Sequence, residues 1–328
     1  MGSSTSTSGA IVMAPPEVPS TLAMTCASEF SRVLADFAAL EPIDPLKPHR
    51  PANGEICIIV AISFKQLVDL QRRIAAILPK ETKLVGYVFD SYFSEKTKRL
   101  PRALQGLLPY FASLQRFDRI YTPFAELIEE QVRQFGLPIE YMAIGVDALG
   151  HGGFVSAERR FVTVNGYGRQ PAALVARLAD RLNRSGDGLF HFTSHVRLGE
   201  ALDPVRHRDL FWQTLRHSRV ALAYSPESCD PDGRFPCSFL GQRWYESLAA
   251  GCVVAGKRPR ANEVDGQLDW PDATIELPDD PDAVAEAVLA IAADTDRVNR
   301  IGRRNAIECL ERHDWRWRII DLARSYPV

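Results

Sequence analysis

The residues best suited to chemistry lie between 239 and 256, FLGQRWYESLAAGCVVAG. A loop leads into a short helix carrying Arg243 and Glu246, Gly251 is placed to end that helix as a C-cap, and an apolar strand follows. A helix that starts near Gly241 aims backbone N–H groups and the positive end of its dipole at whatever precedes it, which suits a phosphate. Gln242, Arg243 and Ser247 belong to that start, and Glu246 is placed to accept hydrogen bonds from a ribose diol. An ordinary αβ unit with solvated charges has the same spacing, so spacing alone leaves both interpretations open.

Further candidates stand at strand ends. Gly168 and Arg169 close a Gly-Tyr-Gly turn after the strand RFVTVN (160–165), where a backbone can approach a phosphate closely; a solvated arginine is the plainer alternative. Asn165 and Tyr167 are secondary candidates for lining a nucleotide. In FHFTSH (190–195), alternation puts His191, Thr193 and His195 on one face, and His195 is the candidate phosphate or nucleotide contact against a purely structural histidine. In YVFDSYF (87–93), Asp90 ends a strand and is the candidate catalytic group, orienting or deprotonating an acceptor hydroxyl. Capping of the following turn is its structural alternative. Ser63, after the first long strand, and Tyr92 are the acceptor-side candidates.

These residues need a frame. ICIIVAI (56–62) is an uninterrupted apolar run that reads as a central strand covered on both faces. Helical periodicity at 65–78, 99–114 and 124–135 alternates with strands at 84–89, 119–121 and 139–142, which implies a parallel sheet. A Gly-rich passage at 145–153 interrupts that cadence, and a second series starts at 160. The expected division is a flexible leader plus an N-terminal helix over 1–51, a Rossmann-like domain over 52–150, a second over 151–313, and an amphipathic, aromatic closing helix over 314–328. Two open α/β sheets joined by one linker are expected to leave a ligand cleft at the carboxyl ends of their strands.

Composition narrows the partners. With 39 Lys and Arg against 41 Asp and Glu, the chain lacks the basic field of a nonspecific nucleic-acid or anionic-membrane binder. No apolar run approaches the roughly 18 residues of a membrane span and no basic-then-apolar signal opens the chain, so a cytoplasmic location is expected. The six cysteines show no zinc-ligand cadence, and the first strand leads into AISFKQL without G-x-G-x-x-G, which argues against a nicotinamide oxidoreductase.

Residues 84–326 resemble the GT-B glycosyltransferases, especially family 4 and the spore-coat glycosyltransferase-like group. The resemblance rests on Glu246 followed by Ala249, Ala250, Gly251, Val253 and Val254, on FGLPIEYMAIGVD (135–147), on RFVTVNGYGR (160–169), and on RHDWRWRIIDL near the end. It implies two Rossmann-like domains facing across a cleft, with the closing helix crossing back to the first. It also implies transfer of a sugar from a nucleoside-diphosphate sugar to an acceptor, metal-independent and retaining, with no cofactor beyond that co-substrate. Glu246 then holds the ribose, and Arg243, Arg169 and the helix start hold the diphosphate. Two departures stand out: Ser238 occupies the position of a second Glu that contacts the donor sugar, and the lysine expected after Gly-Arg is replaced by Gln170, Pro171, Ala172 and Ala173. The alternatives these departures raise are a noncatalytic nucleotide-binding or regulatory protein, or an epimerase or hydrolase on the same scaffold. Asp230 and Asp232 form a D-P-D in a Pro-rich loop, read as a mobile segment closing on the sugar rather than as a metal motif.

Overall fold

A computed structural model describes residues 10–13, 24–44, 55–91, 93, 109–168, 170–184, 186, 188–193, 204–225, 227–229 and 237–326. The chain divides into two units, one of Met1–Ala143 with Trp315–Val328 and the other of Ile144–Asp314.

Among its described residues the first unit is built on six strands, β1 (Ala10–Met13), β2 (Glu41–Ile43), β3 (Ile56–Ser63), β4 (Lys83–Asp90), β5 (Arg119–Thr122) and β6 (Ile139–Tyr141). All are parallel, in the order β2-β1-β3-β4-β5-β6. Its helices are α1 (Met24–Ala38), α2 (Phe64–Ile74), α3 (Pro109–Leu114) and α4 (Ala125–Phe135). The apolar run of β3 is buried on both sides, as its composition requires. Cys57, Ile59 and Ala61 share a core with Leu67 of α2, Phe111 of α3 and Phe135 of α4. On the other side, Tyr87 and Phe89 meet Phe30 of α1 and Trp315. Trp315 opens the terminal helix, Trp315–Ser325, and is fully buried with its ring centroid 4.5 Å from that of Phe30.

Two corrections to the sequence expectation fall here. The stretch assigned to a flexible leader contributes β1, and the Pro-rich segment after α1 contributes β2. The apolar tetrapeptide AIVM finds the unpaired edge of β3, with Ala10 opposite Ile56. Pro42 is tolerated because β2 is the edge strand, where a missing N–H interrupts no ladder.

Among the described residues the second unit has five parallel strands, β7 (Val162–Tyr167), β8 (Phe190–Thr193), β9 (Ser218–Tyr224), β10 (Val253–Lys257) and β11 (Ile275–Glu276), in the order β11-β10-β9-β7-β8. Besides one turn at Ala148–His151, its described α-helices are α5 (Ala172–Leu178), α6 (Pro204–Arg216), α7 (Gln242–Ala249), α8 (Asn262–Gln267), α9 (Pro281–Ala293) and α10 (Thr295–His313). Val164, Val220, Leu222, Val253 and Ala255 of the sheet form one core with Leu174 and Leu178 of α5, Val284 and Val288 of α9, and Ile301 of α10. The Gly-rich passage lies inside this unit, not before it. Val146 bridges Asp314 and donates its N–H to the His313 carbonyl at 3.0 Å. Asp314 in turn accepts from the Leu149 N–H at 2.8 Å. The two ends of the unit are thereby tied to each other. Among the described residues no helix is long and apolar enough to cross a membrane.

Candidate functional site

The carboxyl end of β7 organises the site. Tyr167 is its last residue, and the chain then turns at Gly168, which has a φ of 69°. That left-handed conformation favours glycine. A Cβ at Gly168 would also collide with the guanidinium of Arg243, so the same absent side chain opens the turn and admits the arginine.

α7 delivers the opposing groups. Gly241 precedes it in extended conformation, and Gly251 ends the following turn with a φ of 67°. Arg243 lies 6.0 Å from the centre of the Tyr167 ring, on the first turn of α7. Gln242 donates to the Gly145 carbonyl at 3.1 Å, tying the helix start to the residues that open the unit. The Tyr167 hydroxyl donates towards the Arg243 carbonyl at 2.9 Å and Glu246 Oε2 at 3.2 Å, and shares a hydrogen bond with Ser247 at 3.2 Å. Burial, and then the Glu246 carboxylate beside it, push the Tyr167 phenol well above its ordinary range, so it stays a hydrogen-bond donor.

Glu246 is 3% exposed. An ionised carboxylate at that depth needs a cation and hydrogen bonds to offset its lost hydration. Arg208 of α6 supplies the cation, donating from Nη1 to Oε1. Its guanidinium rests over the rings of Phe211 and Trp212, at 4.9 and 5.0 Å. Behind α7, buried Arg160 donates to the Ala250 carbonyl at 3.2 Å, a cation at the negative end of the helix dipole.

The structure therefore gathers Gly168, Arg243, Glu246 and Ser247 around one tyrosine, with Gly241 and Gln242 at the start of the same helix. It gives Asn165 a different part: its amide donates to Ser218 of β9 at 3.0 Å and its oxygen meets His191 of β8 at 3.4 Å, so it stitches the sheet. Burial holds His191 below the usual histidine range. Arg169, His195, Tyr92, Asp230 and Asp232 lie outside the described residues. In the first unit, Ser63 and Asp90 end β3 and β4 opposite one another in register. Ser63 caps α2 by accepting from the Gln66 N–H at 3.3 Å.

Sequence reasoning missed Arg208 and left Tyr167 at the margin. The available signal was Arg208, Phe211 and Trp212 at i, i+3 and i+4, which places two aromatic rings on the helix face of one cation. It also missed a cavity of about 510 Å³ at the carboxyl ends of β9, β10 and β11, lined by Tyr224, Glu227, Lys257, Arg258 and Arg260 among others. Ser238 adjoins this lining: it donates to Glu227 and accepts from the Arg260 backbone N–H.

Residues 169–324 match the family model described as glycosyl transferase-like. No curated protein matches the chain in sequence. Among solved structures, a glycosyltransferase from Rickettsia africae aligns over 97% of both chains at 8% identity, with a TM-score of 0.55. HepE of Anabaena, solved in complex with UDP-glucose, aligns over 96% of this chain and 98% of its own at 12% identity, with a TM-score of 0.52. At these identities the likeness is one of fold, and the shared fold is GT-B.

Proposed function

We propose that this chain, glycosyl transferase-like over residues 169–324 and GT-B in fold, moves a sugar from a nucleoside-diphosphate sugar to an acceptor, with retention at the anomeric carbon and without a metal ion. The observation that carries the proposal is the buried Glu246 carboxylate, three residues from Arg243 on α7 and joined to it through Tyr167. Glu246 holds the ribose hydroxyls. Arg243, the adjacent first turn of α7 and Arg169 take the diphosphate, whose negative charge grows as the sugar departs. Guanidinium and dipole do electrostatically what a metal ion does elsewhere, which supports the metal-free reading. Retention rests on the family resemblance.

The cavity beside Ser238 receives the sugar, and Glu227 places a carboxylate next to the Ser238 hydroxyl. Asp90 orients the acceptor hydroxyl or takes its proton, with Ser63 and Tyr92 beside the acceptor. The reaction is assigned to the cytoplasm. Because HepE was solved with UDP-glucose, uridine conjugates are the first donors to try.

Thermal stabilisation of the whole chain by a panel of nucleoside diphosphates and their sugar conjugates tests the proposal, since a ligand selective for the folded state raises its stability. One diphosphate and its conjugates should stabilise the wild type and lose most of that effect in Glu246→Ala, with the response unchanged by a chelator. No shift from any member of the panel would overturn the donor site.

A further inference from the structure

We infer that Arg208 is a positioning residue of the donor site, holding the buried Glu246 carboxylate ionised and oriented so that ribose recognition is the same across neutral pH. The inference rests on the donor-site reading above and deepens it.

The argument starts from burial. A carboxyl group removed from water favours its neutral form unless a cation stands beside it. Glu246 is nearly inaccessible, and Arg208, whose side chain is 14% exposed, donates to its Oε1 from a separate helix. Arg208 is itself held in place: Phe211 and Trp212 lie under it, and Trp212, 1% exposed, stacks on His151 at 5.4 Å between ring centres. The groups around Glu246 come from several elements. Tyr167 of β7 donates to Oε2 and, being unable to ionise near neutrality, adds no titration of its own. Arg243 and Ser247 belong to α7 itself, and on α6 His207 neighbours Arg208, held below the usual histidine range by burial and then by that guanidinium. From α10, His313 and Cys309 reach the neighbouring Tyr245. His151, 3.9 Å from Asp147, bears on the site through Trp212.

A ribose diol offers two donors, which an ionised carboxylate accepts and a protonated one accepts poorly. Without Arg208, burial favours the neutral form of Glu246, so ribose recognition should weaken as pH falls. The sign follows from the carboxylate being the binding form: recognition is present above its pKa and lost below.

The test measures the affinity of the full-length chain for UDP and for 2′,3′-dideoxy-UDP between pH 6 and 8.5, because their ratio cancels titration of the phosphate. Wild type should keep a constant preference for UDP. Arg208→Gln should match it at pH 8.5 and lose about tenfold of the preference by pH 6, while Arg208→Lys, which keeps the charge, should restore the flat profile. A flat ratio in Arg208→Gln, or tighter UDP binding at every pH, would overturn the inference. If the wild type binds no UDP, the donor reading fails for uridine, and the carbon-13 carboxyl resonance of Glu246, assigned against Glu246→Gln, decides the matter without ligand. A titration that moves up in Arg208→Gln supports the role of Arg208, and an unmoved one rejects it.

Discussion

In the first unit, several polar groups near the strand ends bond to one another or to the helix that follows. Ser63 caps α2, the Ser91 and Thr122 hydroxyls bond to each other, and Gln131 donates to the Ser91 carbonyl. In the second unit, the end of β7 collects a carboxylate, two guanidinium groups and two hydroxyls from β7, α6 and α7. The difference is physical rather than numerical. Hydroxyls and amides that satisfy one another are part of the ordinary cost of folding, whereas an ion pair at 4% and 14% side-chain exposure is often no more stabilising than an apolar replacement. Such a pair at the carboxyl end of an open parallel sheet, the end where sheets of this class take ligands, accords with the donor site proposed above.

That contrast can be broken or sharpened by substitution. The largest effect should come from Trp315→Ala, which empties the aromatic cluster of the first unit and should cost about 3–5 kcal/mol in chemical denaturation. UDP affinity measured below the transition should be unchanged, since the residues proposed to hold the donor lie in the other unit; a parallel loss of affinity would erase the distinction. Glu246→Ala should lower UDP affinity about 10- to 100-fold by titration calorimetry, the equivalent of losing a hydrogen bond to a charged group. Gly168→Ala should cost about 1–2 kcal/mol of stability through its left-handed backbone and, by displacing Arg243, should weaken UDP more than uridine. Equal weakening of both would detach Arg243 from the diphosphate. The smallest change is expected from Asp90→Asn, within about 0.5 kcal/mol in stability and silent in UDP binding, while sugar transfer to an acceptor falls. Unimpaired transfer would leave the first unit without a chemical part at that position.

What the sequence disclosed depended on whether a signal was local. The apolar run of β3 and the α7 segment are contiguous patterns, and both appear where their periodicity puts them, with Ala250 as the C-cap and Gly251 the left-handed residue just beyond it. The role of Ser63 was also local, though overlooked: Ser63 accepts from the Gln66 N–H while Gln66 Oε1 accepts from the Ile62 N–H at 2.7 Å, a variant of the S-x-x-Q capping pattern. Arg208 belongs to another class. It and Glu246 stand 38 residues apart, on helices that lead into β9 and β10, which are neighbours in the sheet but share no local sequence pattern. β1 was illegible for a similar reason, since four apolar residues among Ser, Thr and Pro become a strand only once β3 presents an edge.

The tie between Val146 and Asp314 has a consequence for biosynthesis. Because both ends of the second unit meet within it, that unit can close on itself as soon as Asp314 has left the ribosome. The first unit cannot: Trp315, which fills the space among Phe30, Tyr87 and Phe89, is translated after every residue of the second. The segment made first is therefore the one completed last, and until then it exposes an aromatic cluster of the kind that chaperones retain. A chain stalled before Trp315 should carry a finished second unit beside an unfinished first.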